Sequence, residues 1–277
     1  MSEQRVTTLN LIGAGRVGRT LATLWARHGV LEIQDVLTST PESAQEACAA
    51  LGHGRPVAWL SDMRPAEVWM VAVQDARIAA VAATLAAAQQ TQTTRPIVFH
   101  CSGAQNASSL QPLAELGWRT ASAHCILSFA DVGVAVQQFA GTACALEGDT
   151  TACETLRVAF DAIGAQTFGV ASEDKVLYHA AAVFATNFLP VLQSVAEAAW
   201  TRSGVPAHLL PHLRATLLRN AVDNITRLGP AGALTGPAAR GDVAAIERQA
   251  AVVKAWDTPS GDAYQALSAL ALRLAGH

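Results

Sequence analysis

The sequence predicts an α/β domain followed by an all-α domain, and three observations carry that prediction. Residues 9–18, Leu-Asn-Leu-Ile-Gly-Ala-Gly-Arg-Val-Gly, read as a buried strand, a glycine turn and the start of a helix. Through about residue 169, short apolar runs alternate with alanine-rich amphipathic stretches, the pattern of strands joined by crossover helices. After that the strand signals stop and only helical periodicity remains. The expected division is therefore 1–169 and 170–277.

The elements follow in order. The strand Asn10–Ile12 runs into Gly13-x-Gly15-x-x-Gly18. In this spacing the first glycine permits the tight turn, the second lets backbone approach a pyrophosphate, and the third lets the helix pack close to the strand. The helix from Val17 to about His28 then directs its free N–H groups at the phosphates. A glycine-rich turn that binds nothing is the plainer alternative. Further strands are expected at Ile33–Thr38, Glu67–Val73, Pro96–His100, Arg119–His124, Ala143–Glu147 and Gln166–Gly169, in a parallel sheet. Helices are expected at Pro41–Leu51, Ala76–Gln90 with Asp75 as its cap, Leu110–Leu116 and Thr151–Ile163. The second half opens with a long helix from Ser172 through Arg202, which Pro190 kinks or interrupts. Gly204-Val205-Pro206 ends it, and helices follow at about Ala207–Leu228, Asp242–Ala255 and Asp262–Ala275.

Composition narrows the function classes. The chain is 51% hydrophobic and 15% charged over 277 residues, which suits a well-buried globular protein. A formal charge of -3 with no lysine/arginine cluster argues against a nucleic-acid partner. No uninterrupted apolar run reaches bilayer-spanning length and Met-Ser-Glu-Gln-Arg lacks a signal-peptide core, so no membrane partner and a cytoplasmic location are expected. The cysteines Cys48, Cys101, Cys125, Cys144 and Cys153 are odd in number, lack CxxC spacing and read as reduced thiols. His100-Cys101 and His124-Cys125 invite a metal site, but neighbouring strand side chains point to opposite faces, so no metal is expected.

The cofactor follows from the end of the second strand, where an NAD site usually places a carboxylate on the ribose hydroxyls. Here that strand ends Thr38-Ser39-Thr40, and Asp35 comes too early. Ser39 and Thr40 remove the repulsion against a 2′-phosphate and can donate hydrogen bonds to it, and Arg16 is in reach of a phosphate. NADP is expected over NAD. The cofactor-binding set is Gly13, Ala14, Gly15, Arg16, Val17, Gly18, Ser39, Thr40, Val73, Gln74, Ser102 and Gly103.

The chemistry is expected beyond the carboxyl ends of the strands. His124 at such an end titrates near neutrality and reads either as an acid/base or as a structural hydrogen-bonder. On the following long helix Lys175, His179 and Thr186 share one face; Lys175 is either a proton donor with a lowered pKa or a solvated first-turn residue. Weaker substrate candidates are Asn187 and the turn residues Thr235 and Arg240, the turn also reading as a plain helix connection capped by Asp242.

Four segments carry a family resemblance: Gly13-Ala14-Gly15-Arg16-Val17-Gly18, Phe99-His100-Cys101-Ser102-Gly103-Ala104, Tyr178-His179-Ala180-Ala181-Ala182-Val183 with Asn187, and Leu234-Thr235-Gly236-Pro237 to Arg240-Gly241-Asp242. With a Rossmann-type domain preceding an all-α domain, the chain resembles the superfamily of 6-phosphogluconate dehydrogenase, β-hydroxyacid dehydrogenases, ketopantoate reductase and pyrroline-5-carboxylate reductase. It looks nearest to two-domain proteins in which a Rossmann-like domain precedes a helical domain of unknown function. The resemblance implies NADP- or NAD-linked hydride transfer to or from a small hydroxy acid, keto acid or imine, in a cleft between the domains. It also implies a homodimer formed through the helical domain. In the superfamily a Lys-x-x-x-Asn pair does acid/base work; Lys175 matches the lysine and His179 stands where the asparagine would be. Cys125-Ile126, Gln74 and Ser39 stand where relatives show Pro-Leu, Pro and Arg. The expected catalytic set is Lys175 with His124 or His179, and the alternative function is an NADP-binding sensor or scaffold without chemistry.

Overall fold

The structure is a computed structural model that describes residues 6–89 and 95–277. The N-terminal pentapeptide read above for a targeting signal and Gln90, the expected end of a helix, lie outside the described residues. The chain divides into two compact units, one extending through Val183 and one from Phe184 to His277.

In the first unit the strands are β1 (Thr7–Ile12), β2 (Leu31–Leu37), β3 (Arg55–Val57), β4 (Val68–Val71), β5 (Ile97–His100), β6 (Arg119–Cys125), β7 (Ala143–Gly148) and β8 (Gln166–Gly169). They form one sheet in the order β3-β2-β1-β4-β5-β6-β7-β8. The chain changes direction of travel between β1 and β4, the place where open α/β sheets bind ligands. The helices are α1 (Arg16–Arg27), α2 (Pro41–Leu51), α3 (Ile78–Ala88), α4 (Gln111–Ala114), α5 (Val132–Gln138), α6 (Thr150–Asp161) and α7 (Lys175–Ala182). Period-two alternation divides the strand side chains between two cores. Leu9, Leu11, Met70 and Phe99 pack on one face with Trp25 of α1 and Phe160 of α6. Ile12, Trp69, Val71 and Val98 pack on the other with Ile78, Ala82 and Leu85 of α3. Trp25 joins the first core through edge contacts to Phe99 and Phe160 and donates its indole N–H to Ala159 O at 2.9 Å.

Several expectations need correction. The sheet is not wholly parallel, because β6 and β7 run antiparallel with Cys125 opposite Cys144. Between them lies only the short α5, too little to return the chain to the far end of the sheet, so β7 starts where β6 stops. Neither α5 nor the edge strand β3 was anticipated; β3 is three residues long and contains Pro56, which only an edge tolerates. Asp75 does not cap a helix at Ala76. A 3₁₀ turn, Asp75–Arg77, comes first, α3 begins at Ile78, and the Asp75 carboxylate is engaged by Ser102.

The second unit comprises α8 (Phe188–Arg202), α9 (Leu210–Ala233), α10 (Val243–Trp256) and α11 (Thr258–Ala275). A π-helical turn, Val183–Asn187, precedes α8. Pro190 has no N–H and its ring crowds the carbonyl four residues back, and the widened turn accommodates both defects. Gly229, at φ 72° and ψ 170°, breaks α9 next to Pro230, close to the expected end at Leu228. Asp242 caps α10 through Ala245 N at 3.0 Å. The helical stretch Ser172–Arg202, with mean hydropathy 1.3, is long and apolar enough to cross a membrane by length and composition, although the sequence holds no uninterrupted apolar run of that length. Against that use, Lys175 in its first turns bonds into the sheet domain and Glu197 pairs with Arg214 of α9.

Candidate functional site

The glycine turn opens into a cavity of about 600 Å³ lined by Gly13, Ala14, Gly15, Thr38, Ser39, Ser43, Val73, Gln74, Arg77 and neighbouring apolar residues. Gly13 makes the turn at φ +89°, and a Cβ there would sit 2.6 Å from Ala72 O. A Cβ on Gly18 would meet Gly13 O at 2.5 Å, whereas one on Gly15 meets nothing within 4 Å. The three glycines thus divide as the motif requires: a turn, an open backbone face and a close helix–strand contact. Gly13, Ala14, Gly15, Ser39, Val73 and Gln74 line the cavity as expected of cofactor ligands, while Arg16, Val17, Gly18, Thr40, Ser102 and Gly103 are not among its lining.

Two of the missing side chains are committed elsewhere. Arg16 donates to the carbonyls of Phe129 at 3.4 Å and Ala130 at 3.2 Å. Thr40 is the N-cap of α2 in a capping box, accepting from Ser43 N at 3.2 Å and donating to Ser43 Oγ at 3.1 Å. Thr38 also spends its hydroxyl there, 2.5 Å from Ser43 Oγ. Asp35 is fully buried and serves the scaffold. Arg55 and Arg64 bind its carboxylate at 2.9 and 2.7 Å. Burial alone would raise its pKa, but these bonds outweigh burial and hold it at about 2.

A second cluster forms where β5 and β6 end. His100 accepts from Ser102 N on Nδ1 at 3.2 Å, which leaves the proton on Nε2, 3.1 Å from Asn106 O. Ser102 Oγ donates to Asp75 Oδ2 at 2.6 Å and accepts from Gln105 N at 3.0 Å. The Ser102-Gly103 turn is therefore braced from both sides. Burial keeps the His100 pKa below its usual value, so this ring is a neutral structural bridge.

Lys175 is not solvated. It is 1% exposed, and Nζ donates to Ser102 O at 3.1 Å and Ser122 Oγ at 2.8 Å. Ser122 in turn donates to Glu147 Oε2 at 3.0 Å. Glu147, also buried, accepts from Ala107 N at 2.8 Å and Ser172 Oγ at 2.6 Å. The ammonium is thus linked through one hydroxyl to a buried carboxylate. Burial lowers the Lys175 pKa and the Glu147 charge works the other way.

Three side chains meet around Gly103. His124 Nδ1 lies 2.8 Å from Tyr178 Oη, and the His124 and His179 rings stand edge to face with centroids 5.6 Å apart. A Cβ on Gly103 would collide with His179 Nδ1 and come within 2.9 Å of His124 Cε1 and Nε2, so only glycine leaves both rings in place. His179 Nδ1 is buried and has no hydrogen-bond partner. Burial, followed by the Lys175 and His179 charges, depresses the His124 pKa to about 4. Burial pushes the Tyr178 hydroxyl up, so it stays protonated. Tyr178, which opens one of the segments that carry the resemblance, stands beside the expected catalytic residues.

Asn187, Thr235 and Arg240 are exposed residues of the second unit, with Asn187 Oδ1 accepting from Thr186 Oγ1 at 2.8 Å. Among the described residues no group of three His, Cys, Asp or Glu is placed to hold a metal ion. All five cysteines are free thiols.

Residues 2–125 match the family model of a Rossmann-like domain, and residues 142–271 match that of a domain of unknown function, DUF2520. An N-terminal Rossmann-type dinucleotide-binding domain is followed by an all-α C-terminal domain. No curated protein matches the sequence. Among solved structures, the chain is similar to protein TM1727 from Thermotoga maritima, with 25% identity, TM-score 0.76, and 97% of this chain and 98% of that chain covered. A candidate NADP oxidoreductase from Bacteroides fragilis follows at 22% identity and TM-score 0.70, covering 97% and 98%. Pyrroline carboxylate reductase from Plasmodium falciparum, solved with NADP bound, shares the fold at 11% identity and TM-score 0.58, again over 97% and 98%.

Proposed function

We propose that this protein is an NADP-preferring oxidoreductase acting on a small hydroxy acid, keto acid or imine. Residues 1–169 are the cofactor part and 170–277 the substrate and dimerisation part. The observation that carries the reading is the meeting at Gly103 of two ring nitrogens, His124 Nε2 and the unpartnered His179 Nδ1. It supports a polar reactant there, because a buried nitrogen without a partner costs free energy that a ligand can recover. The acid-free glycine cavity fits a dinucleotide, with Gly13, Ala14 and Gly15 at the pyrophosphate, Ser39 at the ribose and Val73 and Gln74 along the wall. Ser102-Gly103, outside that lining, is the turn assigned to the nicotinamide. Structural neighbours carry NADP, NADPH or NAD+, which is in line with a dinucleotide in this cavity. The cofactor supplies or accepts the hydride when bound.

The residues of the chain handle the proton. Tyr178 donates to His124 Nδ1, which leaves the His124 proton on Nε2, facing Gly103. His124 then holds the reacting oxygen or nitrogen by a hydrogen bond from its Nε2–H, and His179 is the group that exchanges a proton with it. Lys175 acts through the turn: its ammonium fixes the Ser102 carbonyl and adds to burial in lowering the His124 pKa. That makes Lys175 a positioning residue, with the superfamily's lysine used from behind the site.

The test is consumption of NADPH with a panel of small keto acids and cyclic imines. A turned-over member, with His179→Asn slowed about a hundredfold or more at unchanged NADPH affinity, is the expected result. Binding of NADPH without turnover on any member would favour the sensor or scaffold reading. For the helical part we propose a homodimer. Among its described residues only Ala238, Ile246, Ala250 and Gly261 are buried, while Phe184, Val191, Val222, Leu228, Val252 and Leu274 are exposed.

A further inference from the structure

The cofactor cavity contains one charged side chain, and it lies where the sequence motif for NADP does not look. Arg77 ends the 3₁₀ turn after β4, and no hydrogen bond or ion pair engages its guanidinium among the described residues. The same cavity is lined by Thr38 and Ser39, which follow β2, and by Ser43 of α2. Two of those hydroxyls are taken up by the α2 cap, and Ser39 alone has no partner. No carboxylate lines the space. The nearest acids are turned away or outside it: Asp75 accepts from Ser102, Asp35 is enclosed by Arg55 and Arg64, and Glu42 is exposed in the first turn of α2.

We propose that Arg77 is the specificity-determining residue for the 2′-phosphate of NADP, working with the Ser39 hydroxyl. The inference rests on the NADP reading above and names the group that reads the phosphate. A guanidinium pairs with a phosphate through parallel N–H···O bonds, stronger than a hydroxyl contact alone. Arg77 reaches the cavity from the turn after β4 and Ser39 from the turn after β2, and the 2′-phosphate is the feature that distinguishes NADP from NAD to this pair.

The experiment measures binding of NADPH, NADH, adenosine 2′,5′-bisphosphate and ADP to the full chain, as wild type, Arg77→Ala and Arg77→Lys. Arg77 is exposed, and melting curves verify that each variant is folded. The expected result for Arg77→Ala is NADPH and the bisphosphate weakened roughly tenfold or more, with NADH and ADP within about twofold. Arg77→Lys recovers part of the loss, since a point charge replaces the fork. Equal weakening of all four ligands would mean that Arg77 stacks on the adenine, and would overturn the proposal. NADPH binding that is indifferent to Arg77→Ala would overturn it too, while leaving the oxidoreductase reading intact. A wild type that binds none of the four overturns both.

Discussion

At the scale of single residues, the account turns on charges and protons around Gly103. Lys175→Met removes the ammonium that depresses His124, so the His124 pKa should move from about 4 toward its ordinary value. Nuclear magnetic resonance titration of the ring detects that shift; a His124 pKa unchanged in the variant would remove Lys175 from the electrostatics of the site. The wild-type shift also sets a pH dependence. His124 takes up its proton near 6.5 when unfolded and near 4 when folded, so stability is flat above pH 6.5 and falls as pH drops from there to 4. His100, also lowered, adds to the same trend. Melting temperatures across that range should fall less in His124→Asn than in wild type. Gly103→Ala should abolish turnover, because its methyl group displaces the rings. Of this constellation the sequence revealed the members but not their mutual positions. His124, Lys175 and His179 were legible as titratable groups at a strand end and on one helix face. Ser122, which binds Lys175, and Glu147, which accepts from Ser122 on the neighbouring strand, were not, because nothing local marks a pair that only sheet register brings together.

At the scale of elements, legibility followed the strength of the local pattern. Strands β4 and β5 came from uninterrupted apolar runs, and α2 from its alanine-rich amphipathic stretch, whereas its capping hydroxyl Thr40 was read as a cofactor ligand. The short α5, the edge strand β3 and the π turn before α8 carry too few residues to impose a period. The position of Asp35 illustrates a different limit. By sequence it was a poor ribose ligand for reasons of spacing; in the structure it is one for reasons of burial, closed off by two arginines. Asp35→Asn should cost about 1–2 kcal/mol in urea denaturation. That is the range for charge-assisted bonds, discounted because Arg55 and Arg64 are 49% and 51% exposed. Cofactor preference should not change. A variant that gains or loses NADH affinity selectively would return Asp35 to the binding site.

At the scale of the whole molecule, few of the helical unit's described residues are buried. Its four long helices leave large apolar side chains on the surface, which suits burial against a second copy. Sedimentation should give a dimer at micromolar concentration, and a stable monomer would leave that surface unexplained. The two-domain order itself was legible, since the loss of alternating strands after residue 169 is a change of pattern over a hundred residues. The measurement that bears most directly on the account is a titration of the purified protein with NADPH and NADH, followed by nicotinamide fluorescence. The account predicts saturable NADPH binding, tighter than NADH by about tenfold or more. Tighter NADH binding would contradict the cofactor assignment, and binding of neither would reduce the glycine turn to a structural feature of the sheet.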